Sequence, residues 1–221
     1  MDIEKAVRER RSIRLFKPEP VPQEMIRDIL DAARWSPSWG NTQPWELFVV
    51  TGEALKKFEQ ANRQKCLDGE PSAPEIEMPE VWPDTLKRRY TGGGKSVLTS
   101  LSIARDDVDG RNQYYGEMFN LFGAPCMIVV CLDKSLNVEY AMLDVGLIMQ
   151  TICLLAHDKG LGTCILAASV RYPTLVRELL PIPEDRTVII GTAMGYPDWE
   201  SPVNHFDRDR AGLDEFVTWV S

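Results

Sequence analysis

Apolar positions along this chain recur at two different spacings, and each predicts an element. Ile3, Ala6 and Val7 follow Asp2 at helical spacing and predict a first helix over about 2–10, with Asp2 as its cap. The Pro22-Gln23-Glu24 signal opens a second helix that carries Met25, Ile26, Ile29, Leu30 and Ala33 on one face. Residues 45–51 (WELFVVT) read as a strand, and a helix follows over about 53–65. From Leu67 to Pro83 the periodicity is lost, and Asp68, Glu70, Glu75, Glu77 and Glu80 are interspersed with prolines. That stretch reads as an acidic surface excursion, either a lid or a solvated loop without a role. Order resumes with a helical stretch near 112–119, so the excursion is placed at about 67–120. A β-rich run over 126–132 follows Gly123-Ala124-Pro125. The longest helical candidate covers 137–158 and is apolar around most of its circumference. Residues 163–168 and 187–192 read as strands, separated by a short helix near 175–180. The turn-rich tail ends in Leu213, Phe216, Val217, Trp219 and Val220, an apolar set that suits docking on a partner subunit. Helices and strands mix without strict βαβ alternation, so the expected class is α+β, with one domain over residues 1–221.

Charge narrows the function. Lys and Arg number 25 against 33 Asp and Glu, a formal net charge of −8, which speaks against a generally basic nucleic-acid binder. The most apolar long segment, 141–156, is interrupted by Asp144 and Gln150, so no uninterrupted run of the roughly 18 apolar residues of a spanning helix is expected. The first residues show no basic region followed by an apolar stretch, and no secretory signal or membrane attachment is expected. Five cysteines, no CxxC pair and no Asn-x-Ser/Thr sequon point to a reducing, cytoplasmic compartment. With only His157 and His205, a His-rich metal site is not expected.

Against that acidic average, Arg8, Arg10, Arg11 and Arg14 stand within seven residues, with Ser12 between them. Guanidinium forks suit phosphate oxygens, and a hydroxyl completes such a cradle. A cationic helix C-terminus favoured by the macrodipole would look the same. Ser36-Pro37-Ser38-Trp39-Gly40-Asn41-Thr42-Gln43-Pro44-Trp45 offers small, amide and aromatic side chains that could cover a flat heteroaromatic ligand, though an ordinary helix-to-strand loop uses the same residues. Gly92-Gly93-Gly94-Lys95-Ser96 fails as a phosphate loop because Arg89 stands where the first glycine is required and no β run precedes it. No G-x-G-x-x-G occurs. Cys164 and His157 could be paired on paper, but Cys164 lies in a strand among apolar residues and reads as a core thiol.

In this order, Arg10-Arg11-Ser12-Ile13-Arg14, the 36–45 segment, Phe122-Gly123-Ala124-Pro125, Gly160-Leu161-Gly162-Thr163-Cys164, Met194-Gly195-Tyr196-Pro197 and the closing 210–219 resemble the FMN-dependent nitroreductases across nearly the whole chain. The resemblance implies a mostly antiparallel central sheet flanked by helices and an intertwined homodimer with FMN at the subunit interface. Arg10, Arg11 and Ser12 match the positions that hold the FMN phosphate, and Arg208 and Arg210 fall where the tail supplies further basic residues. Arg14 matches a position toward the pyrimidine edge of the flavin. Pro37, Ser38, Trp39 and Asn41 match the loop that reaches the flavin of the other subunit. Ala167 and Ala168 match a strand end whose backbone faces flavin N5, where many relatives carry Glu-Gly. The implied activity is ping-pong hydride transfer from NADH or NADPH through flavin N5 to nitroaromatic or quinone acceptors, with no catalytic side chain. Reductive dehalogenation, substrate dehydrogenation and non-catalytic flavin binding are the alternatives of the same fold.

Overall fold

The computed structural model describes residues 2–221. Its centre is a four-stranded antiparallel sheet of β1 (Glu46–Thr51), β2 (Cys126–Asp133), β3 (Gly162–Leu166) and β4 (Arg186–Gly195), in the order β1-β2-β4-β3. The β2 run CMIVVCLD lacks polar alternation because helices cover both faces of the sheet. The pleat sorts it: Met127, Val129 and Cys131 enter one core, while Cys126, Ile128, Val130 and Leu132 enter the other.

The first core is closed by α3 (Gly52–Leu67), α5 (Val108–Phe119) and α7 (Pro173–Leu179), through Leu55, Phe58, Phe119 and Val176. The second is closed by α2 (Gln23–Ala33) and α6 (Val138–Asp158), through Ile26, Ile29, Ala33, Val145, Ile148 and Ile152. The architecture is therefore α+β in three layers. Among the described residues α6 is the one helix long and apolar enough to cross a membrane. Here its buried stripe from Ala141 to Ala156 forms the core of the second layer. α1 (Ile3–Glu9) is capped by Asp2, whose side chain accepts from Lys5 N, as the sequence predicts.

Three segments add to or depart from the expectations. First, 84–100, to which the sequence reading assigns no element, forms α4 (Asp84–Ser100), with the Gly92-Gly93-Gly94 triplet in mid-helix. Those glycines cost about 1 kcal/mol each relative to alanine, which is why the segment does not read as a helix. Second, the acidic stretch after α3 is strapped to the body. The Glu75 carboxylate takes two bonds from Arg177 Nη2, at 2.8 and 3.0 Å, and accepts the Val188 N–H at 2.8 Å. Tyr172 Oη donates to Glu70 O, and Ala73 N to Arg171 O. Third, β3 ends at Leu166, and Ala167 and Ala168 form a 3₁₀ turn (Ala167–Ser169) rather than the end of a strand.

Candidate functional site

Beyond α1 the chain becomes extended and runs parallel to β3. Ser12 pairs with Thr163, and Ile13 N donates to Thr163 O at 2.9 Å. Ile13 is buried beneath this run, and only a glycine at 162 admits it, since a Cβ there would collide with the Ile13 side chain. Asn204 then fixes the run from the far end of the sequence. Fully buried, it accepts Arg14 N on Oδ1 at 2.8 Å and donates Nδ2 to Leu15 O at 2.9 Å and to Asp198 O at 2.8 Å. Its own carbonyl accepts Arg11 Nη1 at 2.8 Å.

Through Asn204 the tail is held against the N-terminal run. Arg208 donates Nη2 to Arg8 O at 2.6 Å and Nη1 to Arg10 O. Burial lowers the Arg208 pKa, and the neighbouring Arg11, Arg210 and Arg10 lower it further. Arg8, Arg34, Arg63, Arg89, Arg177 and Arg186 have carboxylate partners. Among the described residues Arg10, Arg11, Arg208 and Arg210 have none within ion-pair distance. Arg10 Nε is buried without any hydrogen-bond partner. What sets this corner apart from other arginines without a carboxylate partner is the clustering of four guanidiniums, three of them half-buried, and a dianionic phosphate is the group that such forks fit. Arg14 lies beside this corner, its guanidinium 5.6 Å from the centre of the Phe206 ring and its Nη1 donating to Ser12 O at 3.2 Å. Burial raises the Tyr114 hydroxyl pKa, while the adjacent Arg14 pulls it back down.

β3 leads from this corner to the Ala167–Ala168 turn, about 13 Å along the strand from Thr163. Asn62 fixes the turn, donating Nδ2 to Ala168 O at 3.0 Å and to Phe119 O at 2.7 Å. The backbone of this turn and the arginine corner thus sit at the two ends of one edge strand.

The 36–44 loop lies elsewhere. Gly40, Asn41 and Gln43 have φ of 55°, 60° and 48°, a left-handed strain borne by two non-glycine residues. Ser38 Oγ accepts Gln43 N at 2.9 Å. Trp39 N donates to the buried Asp144 carboxylate of α6 at 3.1 Å, and the Trp39 ring stands edge-on to Tyr140, centroids 6.0 Å apart. Trp39 remains 65% exposed at the mouth of a cavity of about 420 Å³ lined by Thr42, Pro44, Tyr140 and Asp144. His157, at the other end of α6, shares a small cavity with Arg10 and Arg11. Thirteen helical residues, about 20 Å, separate Asp144 from His157. Within one chain, therefore, Arg10, Arg11, Ser12, Arg14, Arg208 and Arg210 come together, with Ala167 and Ala168 along the same strand. Pro37, Ser38, Trp39 and Asn41 do not join them. Asn204, Asn62, Asp144 and Tyr114 escaped the sequence reading. Asp144 registered only as an interruption in an apolar helix, and a lone asparagine in a turn-rich tail carries no signal at all.

Fold and site together define a class of α+β protein in which both ends of the chain build one cationic corner beside the edge strand of an antiparallel sheet. The chain belongs to the Nitroreductase family, whose sequence profile matches residues 7–196. It is 35% identical over 226 residues to the chloronitrobenzene nitroreductase of Comamonas testosteroni, covering 99% of this chain and 96% of that protein. Among solved structures it is similar to the FMN and NADPH-dependent nitroreductase NfnB from sphigopyxis sp. strain HMH, with a TM-score of 0.95, 32% identity and full coverage of both chains. The FMN-dependent nitroreductase NfnB of Mycobacterium smegmatis, solved in complex with NADPH, superposes with a TM-score of 0.92 at 29% identity, covering 99% of this chain and 97% of that one.

Proposed function

We propose that this chain is an FMN-dependent NAD(P)H oxidoreductase that reduces nitroaromatic and quinone-type acceptors as a cytoplasmic homodimer, each chain forming one domain. The observation that carries the reading is the arginine corner without a counter-charge, which includes a buried, unpartnered Arg10 Nε. Arg10, Arg11, Ser12, Arg208 and Arg210 would hold the phosphate of FMN. FMN, when bound, would supply the redox chemistry, hydride acceptance at N5 from NADH or NADPH and delivery of electrons to the acceptor, in an expected ping-pong cycle. Arg14, beside the corner, would present a cation to the pyrimidine edge, where reduction accumulates negative charge, and so would favour the reduced cofactor. The main chain at Ala167–Ala168, held by Asn62, would offer its backbone polar groups to N5, and the two methyl side chains there are too small to supply a side-chain role.

The dimer is supported by the separation of the 36–44 loop, docked on Asp144, from the corner beside His157, about 20 Å along α6, since the family resemblance gives that loop to the flavin of the other subunit. The solvent face of α6 supports it too. Tyr140, Leu143 and Leu147 are exposed there at helical spacing, and Leu213, Phe216, Trp219 and Val220 of the tail are exposed as well. The names of the relatives favour nitroaromatic acceptors over dehalogenation. Steady-state oxidation of NADH and NADPH in the presence of nitrobenzoate, chloronitrobenzene, benzoquinone and a halophenol tests the reading. Turnover with the nitro compounds and quinone is expected. Turnover with the halophenol alone would overturn it.

A further inference from the structure

We propose that His157 is a positioning residue for Arg10, steering its guanidinium toward the phosphate through the small cavity the two side chains share. The inference rests on the reading of Arg10 as a phosphate ligand. His157 occupies the last turn of α6, and Arg10 follows the end of α1. Both border a cavity of about 10 Å³ that Ile13, Leu161, Pro197 and Trp199 also line. Arg10 Nε and His157 Nε2 are both buried, and neither has a hydrogen-bond partner in the protein. The first is an obligatory donor, and the second is an acceptor when the ring is neutral with its proton on Nδ1. The two nitrogens do not bond each other, and a space of this size holds one water at most, so a single water that accepts from Arg10 Nε and donates to His157 Nε2 would link them.

Tying down Nε fixes the plane of the guanidinium, and its two Nη groups are then presented as a fork to the anion. The ring is kept neutral by its surroundings. Burial lowers its pKa first, and Arg10 and Arg208 lower it further against the opposing pull of Glu9 and Asp158. Protonation would remove the Nε2 lone pair and place a second positive charge beside Arg10, so the support given to Arg10 is present above the His157 pKa and is lost as pH falls through it.

The experiment measures the dissociation constants of FMN and riboflavin for the full-length protein and for the His157→Leu, His157→Gln and Arg10→Ala variants. Riboflavin lacks the phosphate, so a role exerted through Arg10 leaves its affinity untouched. His157→Leu is expected to weaken FMN about tenfold, as loss of one bond to a charged group would. Riboflavin should stay unchanged, and His157→Gln, whose amide oxygen can accept, should restore FMN binding. Between about pH 7.5 and about pH 5.5 the wild type should lose FMN affinity more steeply than His157→Gln, a comparison that cancels titration of the phosphate itself. If His157→Leu does not fold, this pH comparison alone decides. Equal weakening of riboflavin and FMN by His157→Leu, or identical pH profiles of wild type and His157→Gln, overturns the role of His157. Unchanged FMN binding in Arg10→Ala overturns the phosphate reading instead.

Discussion

Asn204→Ala perturbs the joint that holds the two ends of the chain together. Its side chain makes three hydrogen bonds, to Arg14 N, Leu15 O and Asp198 O, all within 2.8–2.9 Å, in a fully buried position. Each bond is worth about 1 kcal/mol net, and each orphaned backbone group adds desolvation, so truncation should cost about 3 kcal/mol. For a domain of this size that is a fall of about 6–12 °C in Tm. The Arg11–Asn204 carbonyl bond and the Arg14 anchor loosen together, so FMN affinity should fall about tenfold or more. Asn204→Asp is the control: it keeps the acceptor for Arg14 N, loses both donors and adds a carboxylate beside the arginines, so it should weaken FMN more than stability alone explains. Thermal unfolding followed at one protein concentration, with and without excess FMN, separates the two effects. A Tm within about 2 °C of wild type together with unchanged FMN binding would falsify the assignment of Asn204 as the joint.

Three further outcomes follow from other parts of the molecule. Glu59 is buried on α3 with Oε1 unpartnered, and burial pushes its carboxyl up to about 8 from 4.5. A raised acid stabilises the fold below its unfolded pKa and loses that contribution as pH rises through about 8. Glu59→Gln should therefore flatten the loss of stability between pH 5 and pH 8, by at most about 3–5 kcal/mol, read as a shallower fall of Tm; parallel Tm curves would show that Glu59 stays ionised. Gly162→Ala forces a methyl group into Ile13, which should cost about 1–3 kcal/mol and lower the flavin absorbance retained per chain. Retention equal to wild type would mean that the 10–14 run does not depend on close approach to β3. Glu75→Gln removes the charged partner of Arg177, and limited proteolysis should then cut within 68–83 several-fold faster; an unchanged rate would show that the strap is held by its other bonds.

What could be read from the sequence had local causes. The β2 run, the α2 face and the α6 repeat register as hydrophobic spacing, and all three fall within a residue or two of the expected bounds. Arg10 to Arg14 stood out because clustered cations are anomalous in an acidic chain. Long-range contacts decided the rest. Asn204 reaches Arg14 across 190 residues, and Glu75 reaches Val188 across 113, so neither role leaves a local pattern. α4 was missed for the opposite reason: its glycine triplet gives a strong local signal for a loop, and the helix forms in spite of it. The 36–44 segment was singled out as a ligand loop, but its docking site on Asp144 and Tyr140 lies far from the arginines, which only coordinates reveal.

A flavin held in the arginine corner, reduced by NAD(P)H and reoxidised by a nitroaromatic, would be visible by anaerobic spectrophotometry of the purified, FMN-loaded and desalted protein. About one FMN per chain is expected, with bleaching of its visible absorbance by NADH or NADPH and return of the colour on adding a nitrobenzoate. Protein that leaves the desalting column colourless, or whose bound flavin does not bleach, would contradict the proposed function.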